Sequence, residues 1–60
     1  MKKIKVGNRV EMPEPNDSDI WNFGGFIATV EDILDNGNLV VVDSDGDFFE
    51  IEADRVELGF

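Results

Sequence analysis

Sixty residues with fourteen acids, five bases, no cysteine and no histidine make one small domain and exclude several chemistries together. Such a chain buries only about 60% of the surface its unfolded form exposes, which leaves little room for a deep catalytic pocket beside a core. Without cysteine there is no disulfide framework and no thiolate, and without histidine the usual general base and a common transition-metal ligand are missing.

The charge is one-sided. Residues 1–10 hold Lys2, Lys3, Lys5 and Arg9 and no acid, whereas residues 11–60 hold all fourteen acids and one base, Arg55, a net of −13. That surface repels phosphate backbones, so a nucleic-acid partner is not expected unless the basic start acts alone. No apolar run of signal-peptide length follows Lys2 and Lys3, and none approaches the ~20 residues of a membrane helix. The expectation is a cytoplasmic protein with no membrane role.

Along the chain, apolar residues recur with period two. Residues 1–5 read as a flexible basic arm, residues 6–58 as one domain and residues 59–60 as a tail. Val6, Val10 and Met12 alternate with Arg9 and Glu11, which predicts a first strand over roughly residues 8–13. Pro13 and Pro15 end it, and Asn16, Asp17, Ser18 and Asp19 continue the break, giving a long loop over residues 13–23. Gly24-Gly25 opens a second strand that runs toward Leu34. Asn36-Gly37 then signals a hairpin with a type I′ turn. Leu39 to Val42 form the third strand, Asp45-Gly46 centres a second turn, and Phe48 to Glu52 form the fourth. Ala53-Asp54-Arg55 suits a single 3₁₀ turn, and Val56 to Leu58 close the chain as a fifth strand.

Two-residue turns fix a register. Val42 then faces Phe49, Val40 faces Ile51, and Ile33 faces Val40, all inward. Val30 and Ile33 are three apart, so one residue near Glu31 or Asp32 must be absorbed by a β-bulge. The expected core is Val10, Met12, Phe26, Ala28, Val30, Ile33, Val40, Val42, Phe49, Ile51, Val56 and Leu58. The same register turns Leu34, Leu39 and Val41 outward as a candidate apolar interface.

Five short strands, a long first loop, two tight hairpins and a 3₁₀ turn before the last strand are the order of an SH3-like barrel. Val6-Gly7-Asn8-Arg9-Val10-Glu11-Met12 resembles the opening strand of small SH3-like modules of the Tudor, agenet and KOW types. Gly25-Phe26-Ile27-Ala28-Thr29-Val30 resembles their second strand, and Phe49 to Leu58 resembles their closing strand, 3₁₀ turn and strand. The likeness spans residues 6–58. It implies an all-β, five-stranded SH3-like barrel, and its motifs carry fold, not chemistry.

Two constellations invite function. With Gly46 at the sixth position of an EF-hand loop, Asp43, Asp45 and Glu52 fall at ligand positions, but the first position is Val41, where an oxygen is required. A hairpin turn explains the same residues, and neither a metal nor another cofactor is expected. The aromatics point elsewhere. Trp21 and Phe23 end the first loop, Phe48 points outward from the second hairpin, and Asp19, Asp43 and Asp47 stand near them. Aromatic faces with acid beside them suit a cation such as arginine, lysine or methyl-lysine, an arrangement that looks like the aromatic cage of Tudor-type modules. The bland reading, favoured for Trp21 and more strongly for Phe23, is that Trp21 folds over the open end of the barrel as a lid.

No nucleophile–base pair, phosphate-cradling loop or metal-hydrolase motif is present, so an enzyme is not expected. The sequence reads as a small acidic binding module for a basic, or apolar-plus-basic, protein segment. A structural role through self-association of Leu34, Leu39 and Val41 is the alternative. Nucleic-acid association, suggested by the KOW likeness alone, comes third. The oligomeric state is left open.

Overall fold

The computed structural model describes residues 3–58. Among these residues five strands are present: β1 (Arg9–Glu11), β2 (Ile27–Ile33), β3 (Leu39–Val42), β4 (Phe48–Ile51) and β5 (Glu57–Leu58), with a 3₁₀ turn, η1 (Ala53–Arg55), before β5. All neighbours run antiparallel in one sheet of order β4-β3-β2-β1-β5. The strands at its two ends, β4 and β5, share no ladder among the described residues, so the sheet is open. The extents of 26 × 22 × 20 Å are nearly equal, which for five strands requires strong curling around one buried face. Among the described residues no helix is long and apolar enough to cross a membrane.

The alternation that predicts strands also predicts most of their inward faces. Val10, Met12, Ala28, Val30, Ile51 and Val56 are all buried. The bulge is where the spacing demands it: Val30 pairs with Val41 and Asp32 with Val40, leaving Glu31 as the extra residue. Phe26 and Phe49 are half-buried and pack against this core.

The β3 face is reversed from expectation, for a geometric reason. In the second hairpin Gly46 N–H donates to Asp43 O at 3.1 Å, and Asp43 N–H donates to Asp47 O at 3.0 Å. In the first, Gly37 N–H donates to Leu34 O at 2.9 Å, and Leu34 N–H donates to Asn38 O at 2.8 Å. Each is a type I turn closed by one glycine in the left-handed region, Gly37 at φ +89° and Gly46 at φ +88°. No described non-glycine residue has a positive φ, which excludes type I′ turns, since those need it at both central positions. The connection is therefore three residues long instead of two.

One added residue slides each partner strand by one position, and a slip of one exchanges the two faces of a strand. Leu39 now pairs with Ile51, Val41 with Phe49 and Val42 with Phe48, and Ile33 pairs with Leu39. Leu39 and Val41 are 1% and 0% exposed, so they are core residues. They cannot form the outward interface expected of them with Leu34, which is itself half-buried. Val40 and Val42 take the outer face and are half-buried, not core. Ile33 and Leu58 sit at strand ends and remain partly exposed, at 40% and 36%.

Two further observations concern the start of the chain. Val6 lies in a turn ahead of β1 and is exposed. The second half of the expected arm is fastened: Ile4 packs against the core, and Lys5 N–H donates to the Asn8 side chain at 2.8 Å. Residues 1, 2, 59 and 60, and with them the start of the arm and the expected tail, lie outside the described residues.

Candidate functional site

The long β1–β2 connection does more than span a gap. Its two limbs are zipped by Met12 N–H to Phe26 O at 2.9 Å and Gly25 N–H to Met12 O at 2.8 Å. Asn16 caps its tip, accepting from the Ser18 N–H and hydroxyl. Trp21 then folds inward to 7% exposure, and its indole Nε1–H donates to Pro13 O at 3.0 Å. A buried indole needs such an acceptor. Trp21 is thus a lid on the core.

From that lid a row of rings runs outward. Trp21 meets Phe49 edge-on at 5.6 Å between centroids, Phe49 meets Phe26 at 6.1 Å, and Phe26 meets Phe23 at 5.3 Å. Phe23 ends the row at 63% exposure, and Ile20 beside it is 73% exposed. Across from this loop stands the β3–β4 turn. Between them lies an open groove of about 440 Å³, lined by the apolar Ile20, Trp21, Phe23, Phe26 and Phe49 and by the acidic Asp43, Asp45 and Asp47. That volume falls within the usual range for ligand sites, roughly 300–1,000 Å³.

The acidic lining is shaped by its turn. One oxygen of Asp43, Oδ1, accepts from both Asp45 N–H and Asp47 N–H at 2.9 Å. A carboxylate oxygen from each of Asp43, Asp45 and Asp47 lies within 4.8 Å of the others. Val41, the position at which an EF-hand calcium loop would need its first oxygen, is a fully buried core residue, so the EF-hand pattern is not completed.

Of the residues expected to bind, the groove gathers Trp21, Phe23, Asp43 and Asp47. It does not include Phe48 or Asp19. Phe48 follows strand alternation to the face opposite Phe49, where it is 59% exposed. Asp19 is engaged elsewhere: its carboxylate receives Arg55 through Nη2 at 2.7 Å and Nη1 at 3.2 Å, and Asn16 N–H at 2.8 Å. The Arg55 guanidinium also lies 5.7 Å from the Trp21 ring centroid and reaches Glu52 at 3.3 Å. This clasp ties the loop to η1.

Strand alternation alone places Phe26 and Phe49 in the core and gives Arg55 no role. The signal for Arg55 was present: it is the one base among fourteen acids after residue 10.

The clasp sets a pH dependence. The hydrogen bonds from Arg55, then that from the Asn16 backbone, hold the Asp19 carboxyl below its ordinary value, while Asp19 raises the Arg55 pKa and keeps it charged. A carboxyl with a lowered folded-state pKa adds stability above its unfolded value, about 3.9, and that stability disappears as pH falls through the folded value. Urea titrations at pH 6 and pH 3 should therefore show a smaller loss of midpoint for Asp19→Asn than for the wild type. Equal losses would mean that Asp19 contributes nothing through its charge.

The chain matches no protein-family model, no curated protein and no solved structure among those compared.

Proposed function

We propose that this chain is a small acidic binding module that receives a basic segment of a protein partner in the groove between the β1–β2 loop and the β3–β4 turn. The observation that carries the reading is the groove's mixed chemistry: exposed Ile20 and Phe23 and the Phe26 and Phe49 rings share its lining with three aspartates. An apolar-plus-basic segment satisfies both, since the stem of a lysine or arginine packs on the rings while its head reaches the carboxylates. The strong negative potential of residues 11–58 speeds the encounter with such a partner and repels nucleic acid. The SH3-like reading of the fold draws support from the strand order β4-β3-β2-β1-β5, the long first loop and the 3₁₀ turn before β5.

Titration of lysine-rich, arginine-rich and methyl-lysine peptides into ¹⁵N-labelled protein tests the proposal. Backbone shifts at Phe23, Phe26 and residues 43–47, weakening as salt rises, are expected. No shift at millimolar peptide overturns it. The self-association reading loses its surface, because Leu39 and Val41 are interior.

A further inference from the structure

We infer that the groove selects an unmodified arginine set beside an apolar residue, over lysine and over methylated lysine; this rests on the groove being the binding site. Three features of the molecule lead there.

The first is the arrangement of the rings. A quaternary ammonium is held by aromatic walls that enclose it on several sides. Here Phe23 meets Phe26 and Phe26 meets Phe49 with planes tilted 58° and 63° to one another, Trp21 is buried as the lid, and three aspartates share the lining with the rings. The groove therefore lines a cation with rings and carboxylates together, not with rings alone.

The second is the acidic lining itself. One Asp43 oxygen is already shared by two backbone N–H groups of its turn, which fixes the carboxylate in place. Asp45 and Asp47 extend from that fixed point with oxygens within 4.8 Å of it and of each other. Several acceptors converging on one region match the five N–H donors of a planar guanidinium. An ammonium offers three donors around a point, and a trimethylammonium offers none.

The third is that the chain already binds one arginine in this way. Arg55 lies against the Trp21 ring at 5.7 Å and is held by both oxygens of Asp19, at 2.7 and 3.2 Å. Ring on one side and carboxylate at the fork is the same pairing the groove offers from outside, with Phe23 or Phe26 as the ring and the turn aspartates as the fork's acceptors. Ile20 and the exposed edge of Phe23 supply the adjoining apolar contact.

The test uses the whole chain and four capped peptides, acetyl-glycyl-leucyl-X-leucyl-glycinamide, with X as arginine, lysine, trimethyl-lysine or citrulline. Citrulline keeps the planar shape and removes the charge. Binding read from amide shifts at Phe23 and residues 43–47 should be about tenfold tighter for arginine than for lysine, with trimethyl-lysine and citrulline weaker still. The Asp45→Asn/Asp47→Asn double variant, confirmed as folded by its thermal melt, should bring arginine down to the citrulline level. Lysine or trimethyl-lysine binding as tightly as arginine overturns the inference while leaving the groove as the binding site. Shifts from none of the four, nor from the longer basic peptides, remove the binding reading itself.

Discussion

Gly24→Ala is expected to cost about 3 kcal/mol or more, at or beyond the upper end of ordinary overpacking, and so to leave the domain unfolded or its long loop open. A Cβ at Gly24 would lie 2.5 Å from Glu14 N, 2.7 Å from Glu14 Cα and 2.7 Å from Pro13 C. All three are backbone atoms of the loop's opposite limb, so no side-chain rotation relieves the overlap. The limbs cannot part cheaply either. Separation would break the zipper of Met12, Gly25 and Phe26 and withdraw Pro13 O from the Trp21 indole. A sixty-residue domain holds few kcal/mol in reserve, rarely more than about 3–5. Gly25→Ala is the control. That residue sits at φ +85° with its nearest contact, a flexible Glu11 oxygen, at 3.8 Å, so alanine there meets backbone strain of about 1–2 kcal/mol without a clash. Trp21 fluorescence and far-ultraviolet circular dichroism in urea separate the cases. A red-shifted indole in Gly24→Ala, with or without loss of strand signal, is the expected result. Stability within about 1 kcal/mol of wild type would show that the limbs are not in contact.

The hairpins show what was legible in the chain and what was not. Asn36-Gly37 and Asp45-Gly46 announce turns, and period-two alternation gives β3 and β4 to within one residue, whereas β1 and β2 are each about three residues shorter than it suggests. Both signals are local. Turn type is a choice between backbone geometries close in energy that share the same dipeptides. Here the choice is made by side-chain acceptors within the turns: Asp43 Oδ1 takes two N–H groups and Asn36 Oδ1 takes that of Asn38. Such bonds complete a three-residue connection, and each connection of this length moves β3 from one face to the other. The bulge at Glu31 was recoverable because it follows from spacing within β2. The identity of the residues opposite it depended on the turn.

The groove was legible in its loops and less so in its members. That the first loop and the β3–β4 turn approach one another follows from a small curled sheet, and this places Trp21, Phe23, Asp43 and Asp47 on one groove. Phe48 and Asp19 were misplaced for different reasons. Phe48 is adjacent in sequence to a groove residue and therefore on the other side of the strand. Asp19 is near the groove but already neutralised by Arg55, a pairing across thirty-six positions that no local pattern reveals. Phe26 and Phe49 serve both core and groove, a double use that a two-state inward or outward reading cannot express.

Leu39→Ala against Val40→Ala discriminates the two registers of β3 by the size of the loss. Leu39 is 1% exposed and lies opposite Ile51 on the buried face, and truncation of a core leucine costs about 2–5 kcal/mol. Val40 lies opposite Glu50 on the outer face, where trimming a cross-strand contact costs about 0.2–1 kcal/mol. With two-residue turns the order would invert, since Val40 would be interior and Leu39 outside. Where Leu39→Ala leaves too little folded protein to titrate, Val41→Thr and Val42→Thr make the same comparison gently. Threonine keeps the shape and strand preference of valine and adds one hydroxyl. Val41 is 0% exposed, so its hydroxyl would be buried at a cost of about 1–3 kcal/mol. Val42, half-buried on the outer face opposite Phe48, can turn that hydroxyl to water. Urea midpoints should therefore fall clearly for Val41→Thr and barely for Val42→Thr. The reverse order would return Leu39 and Val41 to the surface, and with them a face on which two copies of the chain could meet.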